Sequence, residues 1–419
     1  MSDTIRTEIE TTCRNARRAA RELSRLDDRA RSDALRRTAA RLRAETARIG
    51  AANDEDLAAA RETGLTSALL DRLTLTPERI NAMAGGLETV AALPDPLADS
   101  IAEWTAPAGL HIRQVRIPIG VIAVIYESRP NVTADVAALC VKSGNAVALK
   151  GGKEAIRSNA IIADLITEEL TAAGIPPAAV QLIRSTDREA TWALLAQEEH
   201  VDVVIPRGGP GLVRAIAEHS KVPVIKHYEG VCTTYVDEHA DLGRAAEITF
   251  NAKVQRPGVC NAMENLVVHD AVARPFLEAM GPRFENAGVE LRGCERTRAI
   301  LASALPASED DWSSEYLDLI LAVKIVDSVE DAVDFINEYG SGHSDAIVTA
   351  DDDTASSFLT GVDSAVVYQN ASTRFTDGFE FGFGAEIGIS TNRIHARGPM
   401  GLRELTTYKY VVHGTGQIR

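Results

Sequence analysis

The chain has 419 residues, 45% hydrophobic and 25% charged, which is enough for two or three domains with ample core and too balanced for extended disorder. A net charge of −16 excludes nucleic acid as a bulk partner, since phosphate backbones are held by basic surfaces, but it permits a local basic pocket for a small anion. Five scattered cysteines with no CxxC pair argue against a disulfide framework and against a structural zinc site.

The first residues, Met1 to Glu8, lack the apolar core of a signal peptide, and no run approaches the roughly 20 apolar residues of a membrane span. A soluble protein of a reducing cytoplasm is expected. Residues 1 to about 95 read as helices, with apolar residues at three- and four-residue spacing (Leu35, Ala39, Leu42; Leu69, Leu70, Leu73). The Arg-rich stretch from Arg29 to Arg48 reads as a solvated helix face rather than a nucleic-acid patch. Turn chemistry at Thr105 to Gly109 precedes His111 to Ile117, which alternates as a half-exposed strand does.

A run of strand–helix units follows. Val121 to Ile125 is a continuous apolar strand suited to a buried parallel sheet, and helix 131–143 and the strand Ala146 to Leu149 come next. Helix 153–173 ends at Gly174 with Pro176 and Pro177 behind it. Then come strand 180–183, helix 187–197, strand 201–205, helix 210–219 and strand 222–225. This alternation argues for a doubly wound parallel sheet. A second α/β block comprises helix 240–252, strand 265–269, helix 271–286, strand 320–326, helix 329–338 and strand 345–349. From Gly384 to Arg419 the chain reads as loop plus an extended strand.

Four segments carry chemistry. Cys260 lies in Val254-Gln-Arg-Pro-Gly-Val-Cys260, beside an arginine and on a Pro-Gly loop, where a thiol can be held as the reactive thiolate. The bland alternative is a small buried hydrophobe. Two glycine-rich turns, Lys150-Gly-Gly-Lys153 and Arg207-Gly-Gly-Pro-Gly211, follow strands directly, so their backbone N–H groups can approach an anion at a helix start. Either is equally a plain strand–helix turn, and no GxGxxG is present. Asn131, in Tyr126-Glu-Ser-Arg-Pro-Asn131, follows a strand and can donate to a developing oxyanion, or merely cap the next helix.

Taken together, these segments resemble the aldehyde dehydrogenase superfamily over essentially the whole chain. The resemblance is carried by Ile125 to Thr133, Ala148 to Ala155, Lys226-His-Tyr-Glu-Gly-Val-Cys232, Val254 to Ala262, Gly340-Ser-Gly-His-Ser-Asp345 and Gly388 to Gly401. It implies that Cys260 is the nucleophile and Asn131 the oxyanion-stabilising asparagine. It also implies that Lys150 holds the adenosine side of a dinucleotide, that Gly208 and Gly209 form the pyrophosphate turn, and that Glu315 fixes the nicotinamide-side ribose. Lys153 stands where members that prefer NAD often carry a glutamate. A cation there suits a 2′-phosphate, so NADPH is the expected cofactor. The position of the glutamate that activates water in aldehyde-oxidising members falls on His227, with Glu229 two residues on.

The resemblance implies NADPH-dependent reduction of L-glutamyl 5-phosphate to L-glutamate 5-semialdehyde through a Cys260 thioester, the second step of proline biosynthesis from glutamate. Arg129, Arg256 and Arg374 are candidate clamps for the substrate's carboxylate and phosphate, or structural ion-pair partners. A hydrolytic aldehyde dehydrogenase and a non-catalytic scaffold are the competing readings. The implied fold is α/β, with a cofactor-binding domain at 1–104 and 121–226 and a catalytic domain at 227–386. A small β flap for oligomerisation, at 105–120 and 387–419, completes it. A homo-oligomer is expected, the preceding glutamate 5-kinase is a candidate partner, and no metal site is expected.

Overall fold

Runs of Val, Ile and Ala set between helical segments fold into two units in this computed structural model, which describes residues 3–226 and 228–419. One unit runs up to Lys226 and also takes in Gly382–Gly388 and Met400–Arg419. The other continues to Phe381 and includes Ile389–Pro399. No helix among the described residues is long and apolar enough to cross a membrane.

Among the described residues of the first unit, five helices precede any strand. Asp3–Leu23 buries Ile9, Cys13, Ala16, Ala20 and Leu23, a stripe with helical spacing. Asp28–Ala44 starts where Asp27 accepts the Ala30 N–H, and Pro77–Ala92 starts where Thr76 accepts the Arg79 N–H with Pro77 behind it. The parallel sheet has the order Val180–Leu182, Ala146–Gly151, Val121–Tyr126, Val203–Arg207. All six residues of both Val121–Tyr126 and Ala146–Gly151 are buried, in keeping with the apolar runs Val121–Ile125 and Ala146–Leu149 within them. The expected strand at 222–225 is reduced to a single bridge between Val204 and Val224. Pro223 has no N–H to donate, so the ladder stops there.

A separate antiparallel sheet in the same unit places His111–Pro118 between Ser100–Thr105 and Thr406–His413. All eight residues of Thr406–His413 pair, from Thr406 opposite Pro118 to His413 opposite His111. Trp104, Tyr408, Tyr410 and Val412 are exposed on it.

The second unit is built on a seven-stranded, wholly parallel sheet. Its order is Leu305–Pro306, Glu290–Gly293, Ile320–Val326, Met263–His269, Cys232–Val236, Ser344–Val348, Val366–Gln369. Alternate residues serve opposite faces. Leu266 and Val268 pack with Phe276, Leu277 and Phe284 of the helix Asp270–Asn286, while Val267 packs with Phe335, Ile347 and Phe358. Each such buried side chain contributes roughly 1.5–3 kcal/mol relative to exposure. The strand at Cys232–Val236 escapes sequence reading because Thr233 and Thr234 interrupt its apolar character, yet all five residues are buried.

Candidate active site

In the second unit the candidate nucleophile lies at the amino ends of the strands. Cys260 sits in the turn between the helix Leu242–Val254 and the strand Met263–His269, and it is half-buried. The turn is held from both sides. Asn261 donates its side-chain amide to the Thr376 carbonyl at 2.8 Å, and its own carbonyl accepts from the Thr373 hydroxyl at 2.8 Å. On the other side the Cys232 thiol donates to the Cys260 carbonyl at 3.3 Å. Gly230 runs so close to the turn that a Cβ on it would stand 1.9 Å from the Cys260 carbonyl oxygen, a separation that only glycine allows.

Two cations share the neighbourhood. Burial, followed by repulsion from Arg256, pulls the Arg374 guanidinium below its usual range, and the Cys260 thiolate works the other way. Arg374 is oriented by its Nε donating to Gln255 at 3.0 Å. The Arg374 guanidinium lies in the electrostatic range of the Cys260 sulfur, with Arg256 in range of Arg374, and this concentration of positive charge suits an anionic substrate.

Behind Cys232 runs a buried polar chain. His343 is fully buried, and its Nδ1 lies 3.6 Å from the Cys232 sulfur and 2.9 Å from the Ser344 hydroxyl. Ser344 Oγ pairs with Thr376 Oγ1 at 2.7 Å, and Thr376 pairs with the Tyr368 hydroxyl at 2.8 Å. Asp345, next along, accepts the Thr233 N–H at 2.7 Å, and full burial pushes its carboxyl up to about 7. A buried ion pair, Lys253 to Glu264 at 2.6 Å, lies on the elements that flank the Cys260 turn. Burial drives the Glu264 carboxyl up, and Lys253 restrains that rise.

Glu315 accepts the Gly230 N–H at 2.9 Å. Burial raises its carboxyl, and Glu229 adds to the rise. Cys260, Arg256, Arg374 and Glu315 thus belong to one neighbourhood of the second unit. His227 lies outside the described residues.

In the first unit the candidate residues gather at the carboxyl ends of the four-stranded sheet, the usual place for a site in an open α/β sheet. Asn131 opens the helix Asn131–Lys142 but does not cap it: Pro130 holds the cap position, and the Asn131 amide donates to Asp135 at 2.9 Å. The capping alternative for Asn131 therefore fails. Burial pushes the Asp135 carboxyl up to about 6, against the pull of Arg207.

Lys150 ends the strand Ala146–Gly151 with its ammonium on the Gly151 carbonyl at 3.2 Å, and burial lowers its pKa while Glu154 and Asp187 oppose. Lys153 is exposed in the next turn, and Arg129 is exposed on the segment before Asn131. Gly208 and Gly209 form the turn into the helix Pro210–His219. The Gly209 N–H is taken by the Glu127 carboxylate at 2.9 Å, so a carboxylate of the chain itself occupies the anion-facing amide of that turn.

Sequence reading missed Cys232, His343 and Gly230 as supports of the Cys260 turn. All three lay inside the motifs that carried the resemblance, but nothing in their spacing distinguished them from packing residues.

The profile of the aldehyde dehydrogenase family matches residues 1–297. The gamma-glutamyl phosphate reductase of Moorella thermoacetica is 55% identical over 412 residues, covering 98% of this chain and 99% of that protein. Among solved structures, the gamma-glutamyl phosphate reductase of Thermotoga maritima superposes with a TM-score of 0.96 at 46% identity, covering 98% of this chain and 100% of that one. An engineered glycolyl-CoA reductase with bound NADP+ superposes with a TM-score of 0.67 at 15% identity, covering 97% of this chain and 96% of that one. That likeness is one of fold.

Proposed function

The chain belongs to the aldehyde dehydrogenase family and, within it, to the gamma-glutamyl phosphate reductases, and we propose that it works with NADPH through a thioester on Cys260. It reduces glutamyl phosphate in proline biosynthesis and uses a nicotinamide cofactor. The observation that carries the thioester reading is the half-buried Cys260 on a turn fixed from both sides, with Arg374 in its field.

The Cys260 thiolate attacks the acyl carbon of L-glutamyl 5-phosphate, and the oxyanion is held by the Cys260 backbone N–H and, as the family resemblance implies, by Asn131. Phosphate leaves with the bonding electrons, giving the thioester. When bound, the cofactor supplies hydride to the thioester carbon. The resulting tetrahedral alkoxide collapses to L-glutamate 5-semialdehyde and returns the Cys260 thiolate. Arg256 and Arg374 hold the substrate's anionic groups in the second unit, and Arg129 is a further clamp in the first.

The cofactor reading rests on a donor set that fits an anion. Lys150 and the exposed Lys153 stand at the carboxyl ends of the first sheet, with the Gly208–Gly209 turn at the same end. Lys153 suits a 2′-phosphate, and Glu315 suits a ribose hydroxyl. The first unit would then serve the cofactor and the second the chemistry. The exposed aromatic residues of the three-stranded sheet support a role for it in homo-oligomer assembly. A biosynthetic enzyme of this kind fits a cytoplasmic location, and glutamate 5-kinase, the source of the labile acyl phosphate, is a candidate partner.

The deciding experiment is NADP+ reduction with glutamate 5-semialdehyde, with and without inorganic phosphate, for the wild type and Cys260→Ala. Activity that requires phosphate and disappears in the variant is expected. Phosphate-independent turnover would instead mean that water resolves the thioester, with Glu229 the first base to test.

A further inference from the structure

The first unit carries a basic groove that the reaction does not use. It measures about 990 Å³ and is lined by Arg14, Arg17, Arg18 and Arg21 of the helix Asp3–Leu23, with Arg25 just beyond it and Lys409 from the strand Thr406–His413. The spacing of Arg14, Arg18 and Arg21 sets them along one helical face, with neighbouring Cβ atoms about 5–6 Å apart, and Arg25 follows in the turn after the helix.

Their pairing differs. Arg17 is committed to structure, donating to both oxygens of Asp202 at 2.7 and 2.9 Å, and Asp202 also accepts the Val121 N–H. Arg14 faces Glu10 at 3.9 Å. Among the described residues, no carboxylate lies within ion-pairing distance of Arg18, Arg21, Arg25 or Lys409, and Glu199 is the one acidic side chain in the lining. A chain of net charge −16 that gathers unneutralised cations into one concavity has concentrated positive potential there.

The groove is also separate from the residues assigned to the cofactor. Gly120 and His200 line it just ahead of the strands Val121–Tyr126 and Val203–Arg207, at the amino ends of the sheet. Lys150, Lys153 and the Gly208–Gly209 turn lie at the carboxyl ends.

We propose that this groove is a binding site for a small polyphosphate-bearing compound of nucleotide size. A row of guanidinium groups along one helix face suits the several negative charges of a phosphate chain, and each fork can take two oxygens. The volume is at the upper end of that of small-molecule sites, roughly 300–1,000 Å³. Ile117, Pro118 and buried Ala20 offer an apolar floor for an uncharged portion of the ligand. The site stands independently of the thioester chemistry.

The test is calorimetric titration of the full chain, saturated with NADPH, with inorganic tripolyphosphate and, in a second arm, with ATP. Each is run at low and at high salt, for the wild type and for Arg18→Ser/Arg21→Ser. Tripolyphosphate is expected to bind at low salt and to weaken steeply as salt rises. The double variant is expected to bind about tenfold or more weakly, since two charge-assisted contacts are lost. Reductase turnover without added anion should be unchanged, because neither arginine belongs to the catalytic machinery. Tighter binding of ATP than of tripolyphosphate, lost in the variant, would identify a nucleotide as the source. Equal binding would identify the phosphate chain alone. Three results would overturn the proposal: no binding of tripolyphosphate by the wild type at millimolar concentration, equal binding by the variant, or retention of an RNA oligonucleotide or acidic peptide in its place.

Discussion

The thiol of Cys232 donates to the backbone carbonyl of Cys260 at 3.3 Å, so one buried cysteine fixes the turn that carries another. Burial raises the Cys232 thiol well above its ordinary range, which keeps it protonated and able to donate. Cys232→Ala is expected to lower kcat roughly tenfold with little change in KM, the signature of a misplaced nucleophile rather than a lost binding contact. Cys232→Ser keeps a donor and should recover most of the rate. Steady-state kinetics of both variants decide it, and equal loss in the two would assign Cys232 to packing.

Gly230→Ala puts a methyl group where no space exists, 1.9 Å from the Cys260 carbonyl oxygen. The turn must shift, at roughly 1–3 kcal/mol of stability. Activity should fall by two orders of magnitude or more, because the displaced atoms belong to Cys260, the proposed nucleophile. Scanning calorimetry beside turnover separates the effects: a lower Tm with full activity would refute the argument.

Arg374→Ala removes a positive charge from the field of Cys260. Alkylation of Cys260 by iodoacetamide should then reach half its maximal rate at a higher pH than in the wild type. The KM for glutamyl phosphate should rise about tenfold, as expected for one lost charge-assisted contact. An unchanged alkylation profile would assign Arg374 to fixing Gln255 alone.

The fully buried Asp345 carboxyl, raised to about 7, makes stability pH-dependent. Its unfolded value is near the ordinary 3.8, so the folded state binds the proton more tightly. That contribution is full below the unfolded value and is lost as pH rises through about 7. Between pH 6 and pH 8 the wild type should lose roughly 1 kcal/mol from this group, and Asp345→Asn should flatten the slope. Denaturant unfolding at the two pH values measures it.

Glu127→Gln frees the Gly209 N–H from a carboxylate. If that turn faces the cofactor's pyrophosphate, the variant should bind NADPH several-fold more tightly, because a like-charged competitor is gone. Fluorescence titration of NADPH reads the change, and unaltered affinity would move the pyrophosphate elsewhere.

Much of the fold was legible because burial on both faces leaves a plain mark. Val121 to Ile125 reads as a strand from its unbroken apolar character, Ile320 to Val326 reads as one although Lys324 interrupts it, and the helix at 210–219 lies where its pattern put it. The Cys232–Val236 strand was hidden by two buried threonines, and Val366–Gln369 by its brevity and half-buried edge position. The family was legible through motifs of reactive groups. The supports of Cys260 were not, because a hydrogen bond from Cys232 to a backbone carbonyl depends on a register between two strands that no local pattern encodes. The basic groove was hidden for a related reason: it needs Lys409 beside a helix that ends at Leu23.

The three-stranded sheet takes its middle strand from His111–Pro118 and one neighbour from Thr406–His413. On the ribosome the middle strand emerges long before that neighbour exists. At 5–20 residues per second, synthesis leaves the edge of His111–Pro118 open for roughly 15 to 60 s. Throughout that time its free amides and carbonyls, flanked by Ile112, Val115 and Ile117, offer a template to any other nascent chain on the same message. Correct maturation of the first unit therefore waits on translation of the second, and slow elongation through residues 230–400 would favour strand exchange between neighbouring chains over closure within one.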